Sequence, residues 1–363
     1  MSDGKILLLT PDFPPNEGGV ARYLRSFAEY FRDEIEVICE PDDRWQTFDP
    51  TAGYPIFRRP LLATWGFLRW WKTVLFLRAF RDRYRVIVVS HILPFGTAAW
   101  VAHKFTKTPY VVMMHGMDVR LATRSPRKKW LAQKVLRGAR VVVANSQALA
   151  REVASAFGLS EVLDVYPCVP DPLPEVVQHD PAMFRLLTVA RLVERKGHAC
   201  VLNALALLKQ SGRLSGILYD IVGEGPLEST LRSMAEELGL ESHVIFHGAV
   251  SDQQREALYA GANFFVMPVS QDPVDKEGFG LVYIEAARNG VPAIATRVEG
   301  VDEAVIDGQT GVLLHAQDPK ELASAILTIT NDSELRARLS MGALAHAKRF
   351  TCHEQLEKLR PFL

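Results

Sequence analysis

Short apolar segments alternate with helical patterns along the whole chain, and this alternation constrains the fold more than any other feature. Several of the segments are unbroken runs of Val, Ile and Leu, as expected for strands buried on both faces of a parallel sheet. The pattern predicts an α/β architecture with doubly wound parallel sheets. The predicted strands span residues 5–10, 34–40, 86–90, 110–114, 141–145, 184–190, 217–222, 244–247, 264–268, 292–296 and 312–314. The predicted helices of the second half span residues 197–210, 226–239, 252–261, 279–290, 318–330, 332–350 and 351–363.

Residues 166–183 interrupt the pattern, because five prolines fall within these 18 residues. Such a segment is typical of an interdomain linker. A chain of 363 residues is long enough for about two domains. We therefore expect two Rossmann-like domains that face each other across a cleft, the first over residues 1–170 and the second over residues 171–350.

The four cysteines lie far apart in the sequence and form no Cys-x-x-Cys pair. We therefore expect neither a disulfide framework nor a zinc site, and a reducing cytosol fits this cysteine usage. The apolar stretch near the start of the chain is only about five residues long, which is too short for a signal peptide.

The formal net charge is zero, with 42 basic and 42 acidic residues, but the charges are segregated. Residues 55–151 contain 19 Lys and Arg against two Asp and Glu, a local net charge of +17. This asymmetry predicts an anionic partner for the first domain. No recognisable nucleic-acid module accompanies it, so we expect no nucleic-acid partner.

Two features of the first half follow predicted strands, where α/β proteins bind ligands. Gly18 and Gly19 precede a predicted helix, and backbone N–H groups at such a helix start can bind a phosphate. His115 follows the strand at 110–114 and can hydrogen-bond a sugar hydroxyl or a developing charge. The plainer alternatives are a simple strand–helix turn and a histidine satisfied within the core. No Gly-x-Gly-x-x-Gly fingerprint follows the first strand, which argues against an NAD site.

The second half places charged residues at similar positions. Arg191 ends a predicted strand and Lys196 opens a helix, so the two cations could clamp a diphosphate and neutralise a leaving phosphate. Glu277 and Glu285 are eight residues apart, which predicts nearly the same face of one helix. The Gly-Phe-Gly segment between them (278–280) exposes backbone N–H groups for an anion. Solvated surface cations and capping or surface glutamates are the alternatives.

An ordered set of segments runs along the chain: E-G-G-V-A-R-Y-L (17–24), H-G-M-D (115–118), V-V-A-N-S (142–146), A-R-L-V-E-R-K-G-H (190–198), V-G-E-G-P-L-E (222–228), F-H-G-A-V-S (246–251), E-G-F-G-L-V-Y-I-E-A (277–286), G-V-P-A-I-A-T (290–296) and D-G-Q-T-G-V-L-L (307–314). This set resembles the GT-B glycosyltransferases, specifically the retaining family 4 group (glycosyl transferases group 1), and is similar to bacterial mannosyl- and glucosyltransferases that act on lipid or polysaccharide acceptors. The resemblance covers nearly the whole chain, and its most diagnostic part is the pair of glutamates at 277 and 285.

The resemblance implies a transferase that takes a UDP- or GDP-sugar in its second domain and needs no metal or other cofactor. Arg191 and Lys196 are implied to bind the donor diphosphate, Glu285 the ribose and Glu277 the transferred sugar. His115 is implied to reach that sugar from the first domain, and the chemistry is front-face substitution with retention, without a protein nucleophile. The other implied donor contacts are Gly18 and Gly19, which close over the diphosphate or the acceptor, Gly248 and Val250, which line the base, and Gly278, Phe279, Gly280 and Leu281 beside Glu277.

An insert at 270–276 lengthens the loop before Glu277, and similar inserts occur in members of the family that use GDP-mannose and act on lipid acceptors. The last helix of such folds commonly returns to the first domain, as we expect for residues 351–363. Two alternatives share the architecture. One is a nucleotide-sugar 2-epimerase, which needs no acceptor, and the other is a non-catalytic sugar-binding protein.

Residues 58–85 combine basic residues with tryptophan and phenylalanine. Cations interrupt the apolar window at 61–77, so a membrane-spanning helix is not expected. A basic amphipathic helix with Trp is typical of a segment that lies on an anionic membrane. We therefore predict a peripheral protein at the inner face of the cell membrane with a lipid-linked or saccharide acceptor; an ordinary helix with its Trp residues in the core is the alternative. The residues expected at this surface are Trp65, Arg69, Trp70, Trp71 and Lys72.

Overall fold

The structure, a computed structural model, describes residues 4–16, 18–62, 70–171, 183–270 and 278–363. The chain divides into two compact units, unit 1 with Met1–Pro170 and Cys352–Leu363, and unit 2 with Asp171–Thr351. Each unit is built around one sheet, and the described strand pairs in both sheets are parallel. The predicted α/β class with two doubly wound sheets is confirmed.

Unit 1 alternates strands and helices. Its strands are β1 (Lys5–Thr10), β2 (Ile35–Cys39), β3 (Ile56–Arg58), β4 (Tyr84–Val89), β5 (Tyr110–Met114), β6 (Val141–Ala144) and β7 (Leu163–Asp164). Its helices before the linker are α1 (Gly19–Tyr30), α2 (Trp71–Ala79), α3 (Thr97–Thr106), α4 (Met117–Thr123), α5 (Pro126–Gly138) and α6 (Gln147–Phe157). The sheet has the order β3-β2-β1-β4-β5-β6-β7.

The five inner strands of unit 1, β1, β2, β4, β5 and β6, are buried on both faces, as their apolar runs predict. Side chains alternate between the two faces of a strand. Leu9 packs in the cluster that contains Val135 of α5, whereas its neighbour Leu8 packs in the cluster that contains Phe27 of α1. The helices α2 to α6 therefore cover one face of this sheet, and α1 covers the other.

The end of the chain returns to unit 1 as helix α14 (Cys352–Leu356). Gln355 accepts a hydrogen bond from the backbone N–H of Tyr166 at 3.0 Å. The return brings Cys352 next to Cys168, 184 residues earlier, and the two form a disulfide with a Cα–Cα distance of 4.9 Å. The expectation of no disulfide is therefore wrong, because a large separation in sequence places no limit on cysteines of a chain that leaves a domain and comes back.

Unit 2 has a sheet of six strands in the order β10-β9-β8-β11-β12-β13. The strands are β8 (Phe184–Val189), β9 (Ile217–Val222), β10 (Val244–Gly248), β11 (Phe264–Met267), β12 (Ala293–Thr296) and β13 (Gly311–Leu314). The helices are α7 (His198–Gln210), α8 (Glu228–Glu237), α9 (Asp252–Gly261), α10 (Leu281–Ala287), α11 (Val301–Ala304), α12 (Pro319–Asn331) and α13 (Ser333–Ala347). A core cluster that contains Leu186 of β8, Leu205 of α7 and Ile326 of α12 holds these layers together.

All eleven predicted strands are present, and no bound differs from the prediction by more than two residues. Strands β3 and β7 were missed. They have three and two residues and lie at the two edges of the unit 1 sheet, so neither offers an apolar run long enough to recognise. Of the described residues within 58–85, only Trp71–Ala79 form an α-helix.

Candidate active site

The strand order of unit 2 reverses between β8 and β11, which are neighbours in the sheet. α/β proteins bind ligands outside the carboxyl ends of strands at such a point. The loop with Arg191 and Lys196 follows β8, and the segment that leads to Glu285 in α10 follows β11. These predicted donor-binding residues therefore come from the two strands that flank the reversal.

Arg191 is exposed, and its backbone is fixed by the loop that follows β9. The N–H of Leu192 donates to the carbonyl oxygen of Glu224 at 2.9 Å. Gly223 permits this close packing, because a Cβ there would lie 2.1 Å from the carbonyl oxygen of Ala190. The Gly-rich loop after β9 thus determines where the Arg191 side chain starts.

Lys196 is buried and ends a short 3₁₀ turn, Glu194–Lys196. Gly197 follows with φ +79 and is the N-cap residue of α7. A Cβ on Gly197 would lie 2.3 Å from the carbonyl oxygen of Pro268, and the amide of Gln317 donates to the same oxygen at 2.6 Å. The loops after β8 and β11 are therefore in direct contact, and the position of Lys196 depends on that contact.

His198, the first residue of α7, adds a second tie to this loop. It is buried, and its Nε2 lies 3.4 Å from the carbonyl oxygen of Arg191. Burial lowers the pKa of the imidazole to about 4. The ring is therefore uncharged at neutral pH and holds the loop through hydrogen bonding alone.

Helix α10 begins after Gly280, whose φ is +81. A Cβ on Gly280 would lie 2.5 Å from the ring of Tyr283, whose hydroxyl donates to the carbonyl oxygen of Met267 at 2.6 Å. Phe279 is buried, with its ring 5.2 Å from that of Phe350. The helix start is therefore anchored to β11 and to the core.

Glu277 lies outside the described residues, and the described chain resumes at Gly278, which is partly buried. Helix α10 begins only at Leu281, two residues later than the predicted start at residue 279, and the predicted common helix face of Glu277 and Glu285 lies partly outside the described residues. The left-handed conformation of Gly280 is the physical reason for the later start, since it is incompatible with a continuous α-helix through this position.

Glu285 is buried in α10 and oriented by its neighbours. Tyr259 of α9, itself fully buried, donates its hydroxyl to Oε2 at 2.9 Å. The side-chain amide of Asn289 donates to the backbone carbonyl of Glu285 at 2.9 Å. A carboxylate offers about four acceptor positions, so a carboxylate held in this way suits the recognition of paired hydroxyls.

Gly248 ends β10 with φ +66, and Val250 follows it. A Cβ on Gly248 would meet no described atom within 4 Å, whereas its carbonyl oxygen accepts the N–H of Gly223 at 2.9 Å. The preceding His247 lies 2.8 Å from a carboxylate oxygen of the buried Asp220. The end of β10 therefore has open space beside the α-carbon of Gly248, while hydrogen bonds hold the carbonyl group of Gly248 and the side chain of His247 in place.

Gly18 and Gly19 form the start of α1 in unit 1, and no side chain caps the helix. A Cβ on either glycine would meet no described atom within 4 Å. The first backbone N–H groups of a helix have no partner within the helix itself. This helix start therefore has the space and the donors that an anion or a polar acceptor needs.

His115 follows β5 and is almost fully buried. Its backbone N–H donates to Oδ2 of Asp118 at 2.7 Å, while its Nε2 has no hydrogen-bond partner among the described residues. Burial lowers the pKa of the imidazole to about 3 and raises the pKa of Asp118 to about 6. An uncharged ring with an unpartnered nitrogen is suited to a substrate hydroxyl rather than to neutralising a full negative charge.

Two residues that the sequence reasoning missed lie beside His115. His91 follows β4 just as His115 follows the adjacent β5, and their ring centroids are 5.9 Å apart. Asp12, from the loop after β1, has a carboxylate oxygen 3.4 Å from Nε2 of His91. The sequence could have indicated both residues, because each follows a predicted strand. His115 was selected for the same reason.

The predicted membrane segment lies at the surface where it is described. Trp71 is 44% exposed, Lys72 is exposed and Trp70 is partly buried, so Trp71 at least is not a core residue. Trp65 and Arg69 lie outside the described residues. In the described ranges, no helix combines the length and the apolar character needed to cross a bilayer.

Across the described ranges no group of three His, Cys, Asp or Glu side chains is arranged to hold a metal ion. Independence from a metal stays a prediction.

Two family models match the chain in succession. Glycosyltransferase Family 4 matches residues 17–172, and Glycosyl transferases group 1 matches residues 173–345. The boundary between the two falls within the proline-rich linker.

Known relatives align with nearly the whole chain. The GDP-mannose-dependent alpha-(1-6)-phosphatidylinositol monomannoside mannosyltransferase of Mycobacterium tuberculosis H37Rv is 30% identical over 375 residues, which cover 93% of this chain and 92% of that protein. The protein of the same name from Mycolicibacterium smegmatis is 29% identical over 367 residues, with coverage of 93% and 92%.

Solved structures share the fold. Anabaena Alr3699/HepE in complex with UDP has a TM-score of 0.79 at 22% identity and is matched over 99% of both chains. Sucrose-phosphate synthase from Thermosynechococcus elongatus has a TM-score of 0.72 at 19% identity, with coverage of 99% of this chain and 98% of that one. Both have the GT-B glycosyltransferase fold, which the sequence predicted for this chain.

Proposed function

The chain belongs to the family 4 glycosyltransferases and uses a nucleotide sugar, and we propose that it transfers mannose from GDP-mannose to a glycolipid at a membrane surface. The alignment over 93% of the chain with GDP-mannose-dependent mannosyltransferases is the observation that carries this proposal. The acceptor in the names of those relatives is a phosphatidylinositol monomannoside. A lipid-linked ring that carries free hydroxyls is therefore the acceptor class we propose.

Arg191 and Lys196 supply positive charge for the donor diphosphate in this proposal. The diphosphate gains negative charge as the bond between the sugar and the phosphate breaks, and cations that are already in place stabilise that charge. The packing of Gly197 against Pro268 keeps the loop in place before the donor arrives. Glu285, oriented by Tyr259, takes the ribose hydroxyls.

We further propose that the sugar is transferred with retention and without a metal. The acceptor oxygen attacks the anomeric carbon on the face from which the phosphate leaves, and a phosphate oxygen takes the acceptor proton. Neither Glu277 nor Glu285 acts as a nucleophile, since one contacts the sugar and the other the ribose. His115, uncharged because it is buried, accepts or donates a hydrogen bond to a sugar hydroxyl.

A donor screen tests the nucleotide. GDP and GDP-mannose should raise the Tm of the protein by more than UDP, UDP-glucose and ADP, and ligand at 100 times its Kd should stabilise by about 2.7 kcal/mol. Larger shifts with the uridine nucleotides would overturn the guanine assignment. Absence of a shift with every nucleotide would refute the donor site altogether.

A transfer assay tests the reaction. With GDP-mannose and vesicles that contain phosphatidylinositol monomannoside, the protein should release GDP and add mannose to the lipid. Lys196→Ala should lower kcat/KM by about 10²- to 10³-fold, whereas Lys320→Ala, an exposed lysine of α12, should leave it unchanged. Conversion of the donor to an epimerised nucleotide sugar without acceptor would favour the 2-epimerase alternative.

Two further measurements test the mechanism. The one-bond C–H coupling of the new anomeric centre should report the same anomer as the donor, and the opposite anomer would exclude retention. Transfer should continue at an unchanged rate in the presence of EDTA. Loss of activity with EDTA, restored by Mg²⁺ or Mn²⁺, would contradict metal independence.

We also propose that unit 1 docks on the anionic inner face of the cell membrane. Helices α2 to α5 bury their inner sides in one core cluster, so their outer sides form one surface, which we call the basic aromatic surface. Within these helices Asp118 is the single acidic residue, and it is buried. The exposed apolar residues of the surface include Trp71, Leu75, Phe105, Leu121 and Trp130. Its exposed cations include Lys72, Arg78, Lys104, Arg124, Arg127, Lys128, Lys129 and Lys134.

Flotation with vesicles tests the docking. Vesicles with phosphatidylglycerol should carry the protein at low salt, and phosphatidylcholine vesicles should not. Lys129→Ala should weaken binding about fivefold, since each cation near an anionic surface contributes about 1 kcal/mol. Trp71→Ala should also weaken binding, whereas Trp45→Ala should not, although Trp45 is equally exposed at 44%. Equal losses for both tryptophan variants would contradict a specific docking surface.

A further inference from the structure

The side-chain amide of Gln317 connects two loops of the candidate active site. Gln317 lies between β13 and α12, and β13 is an edge strand of the unit 2 sheet. The amide nitrogen donates to the carbonyl oxygen of Pro268, in the loop after β11, at 2.6 Å, and to that of Arg195, in the loop after β8, at 3.2 Å. A primary amide has two N–H donors, so both are used. One side chain from the edge of the sheet thus holds together the loops that follow the two strands at the reversal.

The hydrogen bond to Arg195 acts directly on the backbone of Lys196. The carbonyl oxygen of Arg195 belongs to the peptide unit that joins these two residues, and this unit is planar. The backbone N–H of Ser270 donates to the same oxygen at 2.9 Å, so two donors fix the orientation of the peptide plane. Lys196 and Pro268 are both buried, and buried backbone carbonyl groups need hydrogen-bond partners. The two hydrogen bonds of Gln317 therefore help to determine where the side chain of Lys196 begins.

The loop that carries Gln317 is itself held by helix α12. Glu321 of this helix accepts the backbone N–H of His315 at 3.1 Å, and Nδ1 of His315 lies 2.7 Å from Oε1 of the same carboxylate. Asp318 is the N-cap residue of α12, and its backbone N–H donates to the carbonyl oxygen of Ala316 at 2.8 Å. Hydrogen bonds on both sides of Gln317 therefore fix its backbone, which favours a single direction for its side chain.

We infer that Gln317 is a positioning residue of the donor site, which holds Lys196 and the start of the segment after β11 in place for the diphosphate. The inference rests on the proposed transferase function and deepens it, because Gln317 acts through Lys196. A cation that is held before the donor binds needs no rearrangement when negative charge grows on the leaving diphosphate. Gln317 therefore contributes to donor binding and to the rate of transfer, but not to acceptor binding.

Donor kinetics test the positioning role, with GDP-mannose as donor and phosphatidylinositol monomannoside in vesicles as acceptor. Gln317→Met keeps the length of the side chain and removes both N–H donors. The Kd for GDP and the KM for GDP-mannose should rise about tenfold, as expected for the loss of hydrogen bonds to buried groups. The kcat should fall as well, while the KM for the acceptor should be unchanged. Gln317→His keeps one N–H near the position of Nε2 and should therefore lose less donor affinity than Gln317→Met.

The division between KM and kcat distinguishes positioning from a contribution to folding alone. A variant that merely folds less well has less active protein, which lowers the apparent kcat but not the donor affinity of the folded molecules. Arg336→Met is the matched control, because Arg336 of α13 also donates to two backbone carbonyl oxygens, those of Ile329 at 2.7 Å and Thr330 at 2.9 Å, near the C-terminal end of α12. This variant should keep the wild-type Kd for GDP. An unchanged Kd for GDP and KM for GDP-mannose in Gln317→Met, or an equal loss of GDP affinity in Arg336→Met, would overturn the inference.

Amide hydrogen exchange makes the positioning of Lys196 testable without a nucleotide. Backbone amides in residues 193–198 should exchange faster in Gln317→Met than in the wild type, and at the wild-type rate in Arg336→Met. Unchanged exchange in Gln317→Met would overturn the inference, and so would faster exchange with an unchanged Kd for GDP, which would show a structural contact only. Absence of nucleotide binding by the wild type would instead refute the proposed donor site, and the exchange rates would then decide whether Gln317 positions Lys196.

Discussion

Replacement of Gly197 by alanine should destabilise unit 2 much more than the same replacement at Gly212. The two glycines flank α7 and have similar left-handed backbones, with φ +79 and +70. A Cβ on Gly212 would meet nothing within 4 Å, whereas one on Gly197 would lie 2.3 Å from the carbonyl oxygen of Pro268. The pair therefore separates the cost of the backbone conformation from the cost of the close contact.

The expected magnitudes follow from these two terms. A left-handed conformation costs an alanine about 1–2 kcal/mol relative to glycine, which applies to both variants. At Gly197 the contact is with a backbone atom that cannot rotate away, so the chain must shift at an additional cost of about 1–3 kcal/mol. Gly197→Ala should lose about 2–5 kcal/mol, and Gly212→Ala about 1–2 kcal/mol.

Thermal unfolding with and without GDP measures both consequences. For a unit of this size about 1 kcal/mol corresponds to roughly 2–4 °C in Tm, so Gly197→Ala should melt at a lower temperature than Gly212→Ala by at least about 2 °C. Because Lys196 precedes the strained residue, GDP affinity should fall only in Gly197→Ala. Equal melting temperatures and equal GDP affinities would refute the argument that the loops after β8 and β11 are held by this contact.

Two other predictions concern stability. Burial lowers the pKa of His198 to about 4 from an ordinary value near 6.5, so the stability that the uncharged ring contributes is complete above pH 6.5 and is lost as the pH falls toward 4. When the pH is lowered from 7 to 5, the free energy of unfolding measured with urea should fall by about 2 kcal/mol less in His198→Gln than in the wild type. Identical pH profiles of the two proteins would contradict this. Cys352→Ser removes a disulfide to Cys168 across 184 residues and should lower the stability of unit 1 by up to about 5 kcal/mol. An unchanged urea midpoint for unit 1 would show that the cross-link contributes nothing.

The parts of the fold that the sequence predicted well are those with long, strongly apolar strands. β9, for example, is an inner strand of the unit 2 sheet, almost completely buried, and its six residues form a recognisable run. β7 has two residues at an edge and no such run. The disulfide was not predictable either, since the pairing of Cys168 with Cys352 depends on a chain reversal that no local pattern encodes.

The positions of two candidate site residues could be predicted from the sequence. Arg191 and Lys196 were selected because cations next to a strand–helix junction are conspicuous in the sequence, and the structure places both in the loop after β8; their donor-binding role stays a proposal. His91 and Asp12 were missed because their interest arises from a contact between β1 and β4, 79 residues apart in the chain. The start of helix α10 was predicted two residues early, because sequence spacing says nothing about the left-handed backbone of Gly280, which directly precedes the helix.

The segregation of charge also constrains what the basic residues can bind. Residues 55–151 carry a net charge of +17, and the rest of the chain carries −17, yet the cations proposed to hold the donor diphosphate belong to the acidic remainder. A small anion responds to the few charges within a screening length of about 8–10 Å, so two cations in a fixed loop suffice for it. The cations of the basic aromatic surface lie instead on four different helices. A charge excess distributed in this way suits an extended anionic partner better than one small ligand, which supports the proposal that unit 1 docks on a membrane.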